Sequence, residues 1–158
     1  FLYYIKEKEK NKMKKILSLI LALSLIFAAL TLTACSENDS EGSITLVIAT
    51  ENKQVYDVPL SSLRAGGGLM PAFEYLKEEK GLEYDINGSM INSIGGLEND
   101  YETGSYIYIY TSVEKDFDVS EYKMEIEYED KTLVSSGVGF PEMTLTDGAI
   151  IYIGLINW

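Results

Sequence analysis

The clearest helical pattern in the chain is the segment LMPAFEYLKEEK, residues 69–80. Its apolar side chains recur at positions i, i+3, i+4 and i+7, which places them on one face of a helix: Leu69, Ala72, Phe73 and Leu76. Pro71 suits the first turn of a helix, where its missing N–H is not needed, and Gly81 is typical of the residue that follows a helix. We therefore predict one short helix over residues 69–80, preceded by a break at Gly66-Gly67-Gly68.

Strand patterns lie on both sides of this helix. Residues 44–49 and 55–60 flank a polar turn and indicate a β-hairpin. Residues 82–86 and 90–94 flank Asn87-Gly88, a strong hairpin signal. Further strands are predicted over residues 106–110, 122–129, 132–135 and 149–156, and the last is apolar enough to be central. The sequence predicts an α+β domain, in which one short helix packs on a mostly antiparallel sheet of about seven strands.

The N-terminal part of the chain has the pattern of an export signal. Met13-Lys14-Lys15 is followed by an uncharged and mostly apolar run, residues 16–32, and then by Thr33-Ala34 directly before Cys35, the only cysteine. The run is marginal for crossing a bilayer, which takes roughly 20 residues. The Leu-x-Ala-Cys at residues 32–35 resembles a bacterial lipobox, in which the cysteine sulfur is lipidated and the cysteine becomes the mature N-terminus. An ordinary signal peptide followed by a chance cysteine is the alternative.

These features divide the chain into four parts. We interpret residues 1–12, which do not begin with methionine, as sequence upstream of the true start at Met13. Residues 13–34 form the predicted lipoprotein signal peptide, and residues 35–43 form an acidic tether. Residues 44–158 form one folded domain. We expect this domain to be extracytoplasmic and anchored to the bacterial cell membrane through the lipid on Cys35.

Charge and composition argue against several classes of partner and of catalytic site. Six of the 13 basic and two of the 25 acidic side chains precede Cys35, so the chain from Cys35 onward has a net charge of −16. Such a charge argues against nucleic acid as a partner. The sequence has no histidine, which excludes His-based zinc sites and Ser-His-Asp triads, and it has no phosphate-binding glycine loop. We therefore expect a protein that is not an enzyme.

The order of the elements and their glycines resembles the transcobalamin C-terminal-like domain, a family common in bacterial surface lipoproteins. Gly68-Leu69 matches the glycine that leads into the family's helix, and residues 88–96 match its motif G-x-x-x-x-S-I-x-G. Residues 106–110 stand at the family's aromatic strand, and residues 139–148 stand at its closing motif. The chain departs from the pattern at Tyr106, Thr111 and Ala149. The resemblance covers most of residues 44–156 and implies a β-grasp-like fold.

The resemblance also suggests a ligand. In the animal vitamin B12 carriers, the similar domain closes over cobalamin together with a large helical domain. A cobalamin-like corrinoid is therefore the small ligand that the resemblance implies for this chain. A lone small domain would cover only one side of a corrinoid.

Aromatic residues are the candidate ligand contacts. Tyr106, Tyr108 and Tyr110 share one face of a predicted strand and could form a platform for a flat ligand or a sugar ring. The alternative is that they pack against the helix or a second sheet. Tyr101 and Phe140 lie in predicted loops, where they are either ligand contacts or plugs over the end of the domain.

Two acidic loops are candidate sites for calcium, a cation that takes oxygen ligands. One contains Glu98, Asp100 and Glu102, and the other contains Asp116 and Asp118. Neither has the glycine and twelfth-position glutamate of an EF-hand, so solvated loops are the alternative.

Taken together, these features predict a lipid-anchored extracytoplasmic binding domain for a small ligand, with a corrinoid as the candidate. Two alternatives stay open. One is an adhesive or structural surface module that engages a surface polymer, and the other is a divalent metal-binding domain that uses the acidic loops.

Overall fold

The structure, a computed structural model, describes residues 41–157. Its strands and its α-helix, α1, are β1 (Ser43–Ile48), β2 (Gln54–Pro59), α1 (Met70–Lys80), β3 (Tyr84–Asn87), β4 (Met90–Ile94), β5 (Leu97–Glu98), β6 (Ser105–Thr111), β7 (Glu125–Tyr128), β8 (Lys131–Ser135) and β9 (Ile150–Asn157). Short 3₁₀ helices span Leu60–Ser62, Glu114–Asp116 and Phe140–Glu142. No helix in this part of the chain combines the length and hydropathy of a membrane span. The predicted upstream segment, signal peptide, Cys35 anchor and most of the tether lie outside the described residues, as does Trp158.

The predicted α+β fold class is confirmed, and α1 begins and ends where the sequence indicates. Pro71 lies in the first turn, and Gly81 ends the helix in the left-handed conformation, with its N–H donating to the carbonyls of Leu76 and Lys77. The apolar face of α1 is buried through Ala72, Phe73 and Leu76. The positive φ of 70° at Gly81 explains why glycine follows the last turn.

Two sheets make up the rest of the domain. The larger has the order β2-β1-β9-β6-β8-β7, and the smaller has the order β3-β4-β5. All neighbouring strands are antiparallel except β1 and β9, which are parallel. β9 lies between β1 and β6, which confirms its prediction as a central strand. Both predicted hairpins, β1–β2 and β3–β4, are confirmed.

The main hydrophobic core lies between one face of the large sheet and the layer made by α1 and the small sheet. Strand alternation sends Ile44, Leu46 and Ile48 of β1 into this core, while Val47 points to the opposite face. Ile107 and Ile109 of β6 pack against the same core. The isoleucine face of β6 therefore lies toward the core that the helix shares, and the tyrosine face lies away from it.

The tyrosine face of β6 packs inside the curl of its own sheet, instead of against the helix. Tyr110 is buried in a second cluster with Val47, Tyr128, Leu133 and Ile150. Tyr128 belongs to the edge strand β7, yet its ring lies 5.7 Å from that of Tyr152 on central β9 and 5.3 Å from the Lys53 ammonium. These contacts show that the β7–β8 end of the sheet folds back over the tyrosine face.

The strand predicted over residues 122–129 is shorter in the structure. β7 begins at Glu125, and Tyr122 is 70% exposed. The strand is shorter because the ladder between β7 and β8 begins at the pair formed by Glu125 and Val134. The described residues contain nine strands in place of about seven, and the two-residue β5 is the one that no predicted strand range covers.

Candidate functional site

A cleft of about 390 Å³ lies along the edge of β6 and is lined by residues from both faces of that strand. One wall is the β4 region and the other is the segment that follows β8. Its lining residues are Ser89, Met90, Ile91, Asn99, Tyr106, Ile107, Tyr108, Ile109, Ser136, Val138, Gly139 and Phe140. No lysine, arginine, aspartate or glutamate lines it, so its walls are apolar with a few neutral polar groups.

The cleft exists because β8 pairs with only the last part of β6. The ladder between the two strands contains only Tyr110 and Thr111 of β6. One more bond, from the Ser136 N–H to the Ile109 carbonyl (2.8 Å), follows before the chain turns away. The turn is fixed by the Ser136 hydroxyl, which donates to the Val138 carbonyl at 2.9 Å. The first part of β6 is therefore an unpaired strand edge.

Gly137 allows the turn that opens this edge. Its N–H donates to the Asp116 carbonyl at 2.8 Å, which brings its backbone against the segment at Phe117. A Cβ at this position would lie 2.8 Å from the Phe117 carbonyl oxygen, closer than real Cβ atoms approach. Glycine is thus required here by close backbone contact, and not by an unusual φ.

Backbone geometry identifies which groups of β6 face the cleft. The Ser112 N–H donates to the β9 residue Ile150 at 3.0 Å, so even-numbered residues of β6 bond to β9 and odd-numbered residues face away from it. Among the odd-numbered residues, the Ile107 N–H donates to the Asn99 side-chain oxygen at 2.7 Å. Within residues 41–157, the Ile107 carbonyl and the Ile109 N–H have no hydrogen-bond partner.

Asn99 joins the small sheet to the edge of β6. Its amide nitrogen donates to the Ile91 carbonyl of β4 at 2.8 Å, while its oxygen accepts from Ile107. The residue therefore satisfies one backbone group on each wall and holds the distance between β4 and β6. Sequence reasoning missed Asn99 and Ser136, because their partners are distant backbone groups that no local pattern reveals.

Three of the five predicted ligand residues line the cleft: Tyr106, Tyr108 and Phe140. Tyr101 lies beside it and is 64% exposed, with its ring 5.7 Å from that of Tyr106 and its hydroxyl donating to the Met90 sulfur at 3.5 Å. Tyr110 does not line the cleft, since it is 5% exposed and packs inside the curl of the sheet. Burial, together with the nearby Asp118 charge, raises the pKa of Tyr108, so its hydroxyl stays protonated near neutral pH.

Phe140 lines the cleft, and its side chain is also part of the main hydrophobic core. Its side chain is 3% exposed, and its ring lies 5.9 Å from that of Phe73 on α1. Its carbonyl accepts from the Leu69 N–H at 2.9 Å, at the start of the helix. The cleft wall is therefore fixed to α1.

The structure does not bring the predicted metal ligands together, and in the first acidic loop Asp100 already has protein donors. The Asp100 carboxylate accepts from the backbone N–H groups of Glu102 and Thr103, and hydrogen bonds from the side chain and backbone of Thr103 and from the Glu102 N–H hold its pKa below the ordinary value. Glu98 lies on β5, and its side chain and that of Glu102 are exposed. No group of three potential ligands lies together in the part of the chain that is described.

The second acidic loop is held by different contacts. Asp116 is 4% exposed, and its carboxylate accepts from the Thr144 N–H at 2.6 Å and from the Thr144 hydroxyl at 3.0 Å. Asp118 accepts from the Ser120 N–H at 2.8 Å. Both carboxylates therefore have protein donors of their own, and Asp116 ties the start of this loop to the segment after Phe140.

Comparisons with known proteins add a fold likeness. No family model matches the chain, and no curated protein matches it. Thirteen chains of solved structures match, among them a "putative metal binding protein" from Ruminococcus gnavus ATCC 29149, with 12% sequence identity and a TM-score of 0.45. The match covers 75% of this chain and 99% of that chain. At this identity and score the likeness gives no information on a ligand, and the resemblance to the transcobalamin C-terminal-like family stays a prediction.

Proposed function

We propose that this chain is a non-catalytic binding domain, held outside the bacterial cell through a lipid on Cys35, and that the cleft along β6 is its ligand site. The observation that carries the proposal is the convergence of Tyr106, Tyr108 and Phe140, chosen from sequence alone, on one cleft. Its volume of about 390 Å³ is within the range of ligand pockets, roughly 300–1,000 Å³.

The chemistry of the lining supports binding rather than catalysis. Apolar walls with a few placed polar groups are typical of ligand sites. The polar side chains are neutral, and the Asn99 amide and the Ser136 hydroxyl are engaged by backbone groups instead of by a base. The sequence has no histidine to act as that base.

A corrinoid is the ligand that the family resemblance suggests, and cyanocobalamin is the first compound to test. The full chain, purified in detergent, is titrated with cyanocobalamin while the visible absorption of the corrin is recorded. We expect a saturable spectral change. No change up to high micromolar concentration would exclude the corrinoid.

Two variants test whether the cleft is the binding site. Met90 lines the cleft and is 53% exposed, whereas Tyr122 lies outside the lining and is 70% exposed, so neither change removes a buried side chain. Met90→Ala is expected to weaken cyanocobalamin binding about fivefold, through lost apolar contact. Tyr122→Ala is expected to leave it unchanged. Equal affinity of the wild type and Met90→Ala would place any binding elsewhere.

The anchor requires a separate test, because Cys35 lies outside the described residues. The chain is expressed in a bacterium fed an alkyne-bearing fatty acid, and membranes are probed for the label. We expect a labelled, membrane-bound protein that loses both properties in Cys35→Ser. An unlabelled thiol in a cytosolic product would overturn the proposed location.

A further inference from the structure

We infer that the cleft takes an extended peptide segment with basic side chains, which pairs as an added strand with the open edge of β6. The inference rests on the proposed function in using the same cleft, and it assigns the ligand class from the backbone groups that the edge leaves unpaired. Addition of a strand to an exposed sheet edge is an established mode of peptide recognition.

The two unpaired groups can bind the backbone of an added strand. In a parallel ladder, one residue donates to the carbonyl before its opposite residue and accepts from the N–H after it. The Ile107 carbonyl and the Ile109 N–H flank Tyr108 in this way. An antiparallel strand can use the same two groups, if Tyr108 lies opposite a residue with which it shares no hydrogen bond, so the edge accepts an extended strand in either direction. The Ile107 N–H is held by Asn99, and the Ile109 carbonyl already accepts from Ser136.

The same two partners limit the length of the pairing. Asn99 closes the edge on one side, and Ser136 closes it on the other. The edge therefore offers two hydrogen bonds to the peptide backbone, and the neighbouring residues of the peptide lie between the cleft walls. Met90 and Ile91 form one wall, and Val138 and Phe140 form the other. We expect apolar side chains to be preferred next to the paired residue.

Charge determines which extended segment fits. Residues 41–157 contain 21 acidic and seven basic side chains, a net charge of −14. Asp100 pairs with Ser105 at the start of β6, and the Asp118 charge acts on Tyr108, while no lysine or arginine lines the cleft. This field attracts a cationic peptide and repels a second copy of the chain, which would bring the same charge to the edge.

The test uses four peptides and the full chain in detergent. The first is an acetylated and amidated lysine-valine-lysine-valine-lysine peptide, and the second replaces its lysines with glutamate. The third carries N-methyl groups on all five residues, which removes the backbone donor of every residue. The fourth replaces its valines with serine. Affinity is measured by calorimetry, and the Ile109 amide is followed by nitrogen-edited NMR.

We expect the lysine-valine peptide to bind and to shift the Ile109 amide resonance, because that N–H gains an acceptor. The glutamate and N-methylated peptides are each expected to bind at least tenfold more weakly, one through repulsion and the other through a lost hydrogen bond. The serine peptide is expected to bind about fivefold more weakly. The inference is overturned if the N-methylated peptide binds equally well, if the glutamate peptide binds equally well, or if the Ile109 resonance does not move.

Other outcomes separate this inference from the proposed function. Cyanocobalamin that shifts the cleft resonances, with no response to the lysine peptide, leaves the proposed function standing and overturns the peptide assignment. Peptide binding without a response to cyanocobalamin supports the peptide and excludes the corrinoid. A response to neither probe overturns both the cleft as a ligand site and the peptide. Sedimentation that shows a dimer broken by the lysine peptide would assign the edge to a second copy of the chain, against this inference.

Discussion

Substitutions of Asp116 can show in one experiment whether its carboxylate has a structural role or a metal-binding role. Its carboxylate is buried and accepts two hydrogen bonds from Thr144, at 2.6 and 3.0 Å. Hydrogen bonds to a charged group contribute about 1.5–3 kcal/mol each, and removing the acceptor leaves the part-buried Thr144 N–H without this partner. The two bonds share one partner residue, so they are less than additive. We expect Asp116→Ala to lower the free energy of unfolding by about 3 kcal/mol.

A companion variant sharpens the test. In Asp116→Asn, the side-chain oxygen can still accept from the Thr144 N–H, and the new amide can donate to the Thr144 hydroxyl oxygen. We therefore expect this change to cost only about 1 kcal/mol. Asp118→Ala serves as the control, since its carboxylate accepts a single turn N–H from Ser120, and we expect it to cost about 1 kcal/mol or less.

The assay is thermal unfolding of the full chain, followed by circular dichroism with calcium and with chelator. For a domain of this size, about 3 kcal/mol corresponds to a melting temperature lower by about 12 °C. The loss should be the same with either addition, because protein donors occupy the carboxylate. An Asp116→Ala melting temperature within about 3 °C of the wild type would refute the reasoning. So would a calcium-dependent rise in the wild type that Asp116→Asn abolishes, which would indicate a metal ligand.

Three further predictions concern Gly68 next to the cleft wall, Asn99 between the two sheets, and the tyrosines with a raised pKa. Gly68→Ala should lower the free energy of unfolding in urea by about 3 kcal/mol or more, because φ is +56° and the new Cβ would collide with the Phe140 carbonyl oxygen. Gly88→Ala is the control, since Gly88 has a similar φ of +62° but open space around it, and it should cost only about 1–2 kcal/mol. Asn99→Ala should cost about 2 kcal/mol in the same assay and increase hydrogen exchange at the Ile107 amide, since two backbone groups lose their partner. Burial raises the pKa of four tyrosines. The stability that depends on their protonated form should therefore be complete below pH 10 and be lost as the pH rises above it. Absorbance at alkaline pH should show these tyrosines ionising last, together with unfolding. These are Tyr84, Tyr108, Tyr110 and Tyr128.

The sequence predicted the elements well, because the signals for them are local. The apolar spacing around Phe73 and the glycine at position 81 determine α1 without reference to the rest of the fold. The alternation in residues 106–110 correctly separated the isoleucine and tyrosine faces of β6. Which of these faces the helix would cover depends on the curl of the sheet. That curl is visible only in contacts such as Tyr128 with Tyr152.

The candidate site was predicted in part. Aromatic character led to Tyr106, Tyr108 and Phe140, but it could not separate them from Tyr110, which differs only in how β8 covers that end of β6. The unpaired edge could not be predicted, because it results from the turn at Ser136 and from the hydrogen bond between the Asn99 side chain and the Ile107 N–H. Both are side-chain bonds to backbone groups of other segments, and single-sequence patterns do not contain them.

The position of β1 has a mechanical consequence. β1 enters the sheet at Ser43 next to β9, and β9 alone separates it from β6. A pull along the strands, applied between the N-terminal end of β1 and an object held at β6, acts in shear across two ladders. Their hydrogen bonds lie across that direction and share the load at once, instead of opening one after another. The domain therefore joins its N-terminal end to its cleft by a connection that resists force.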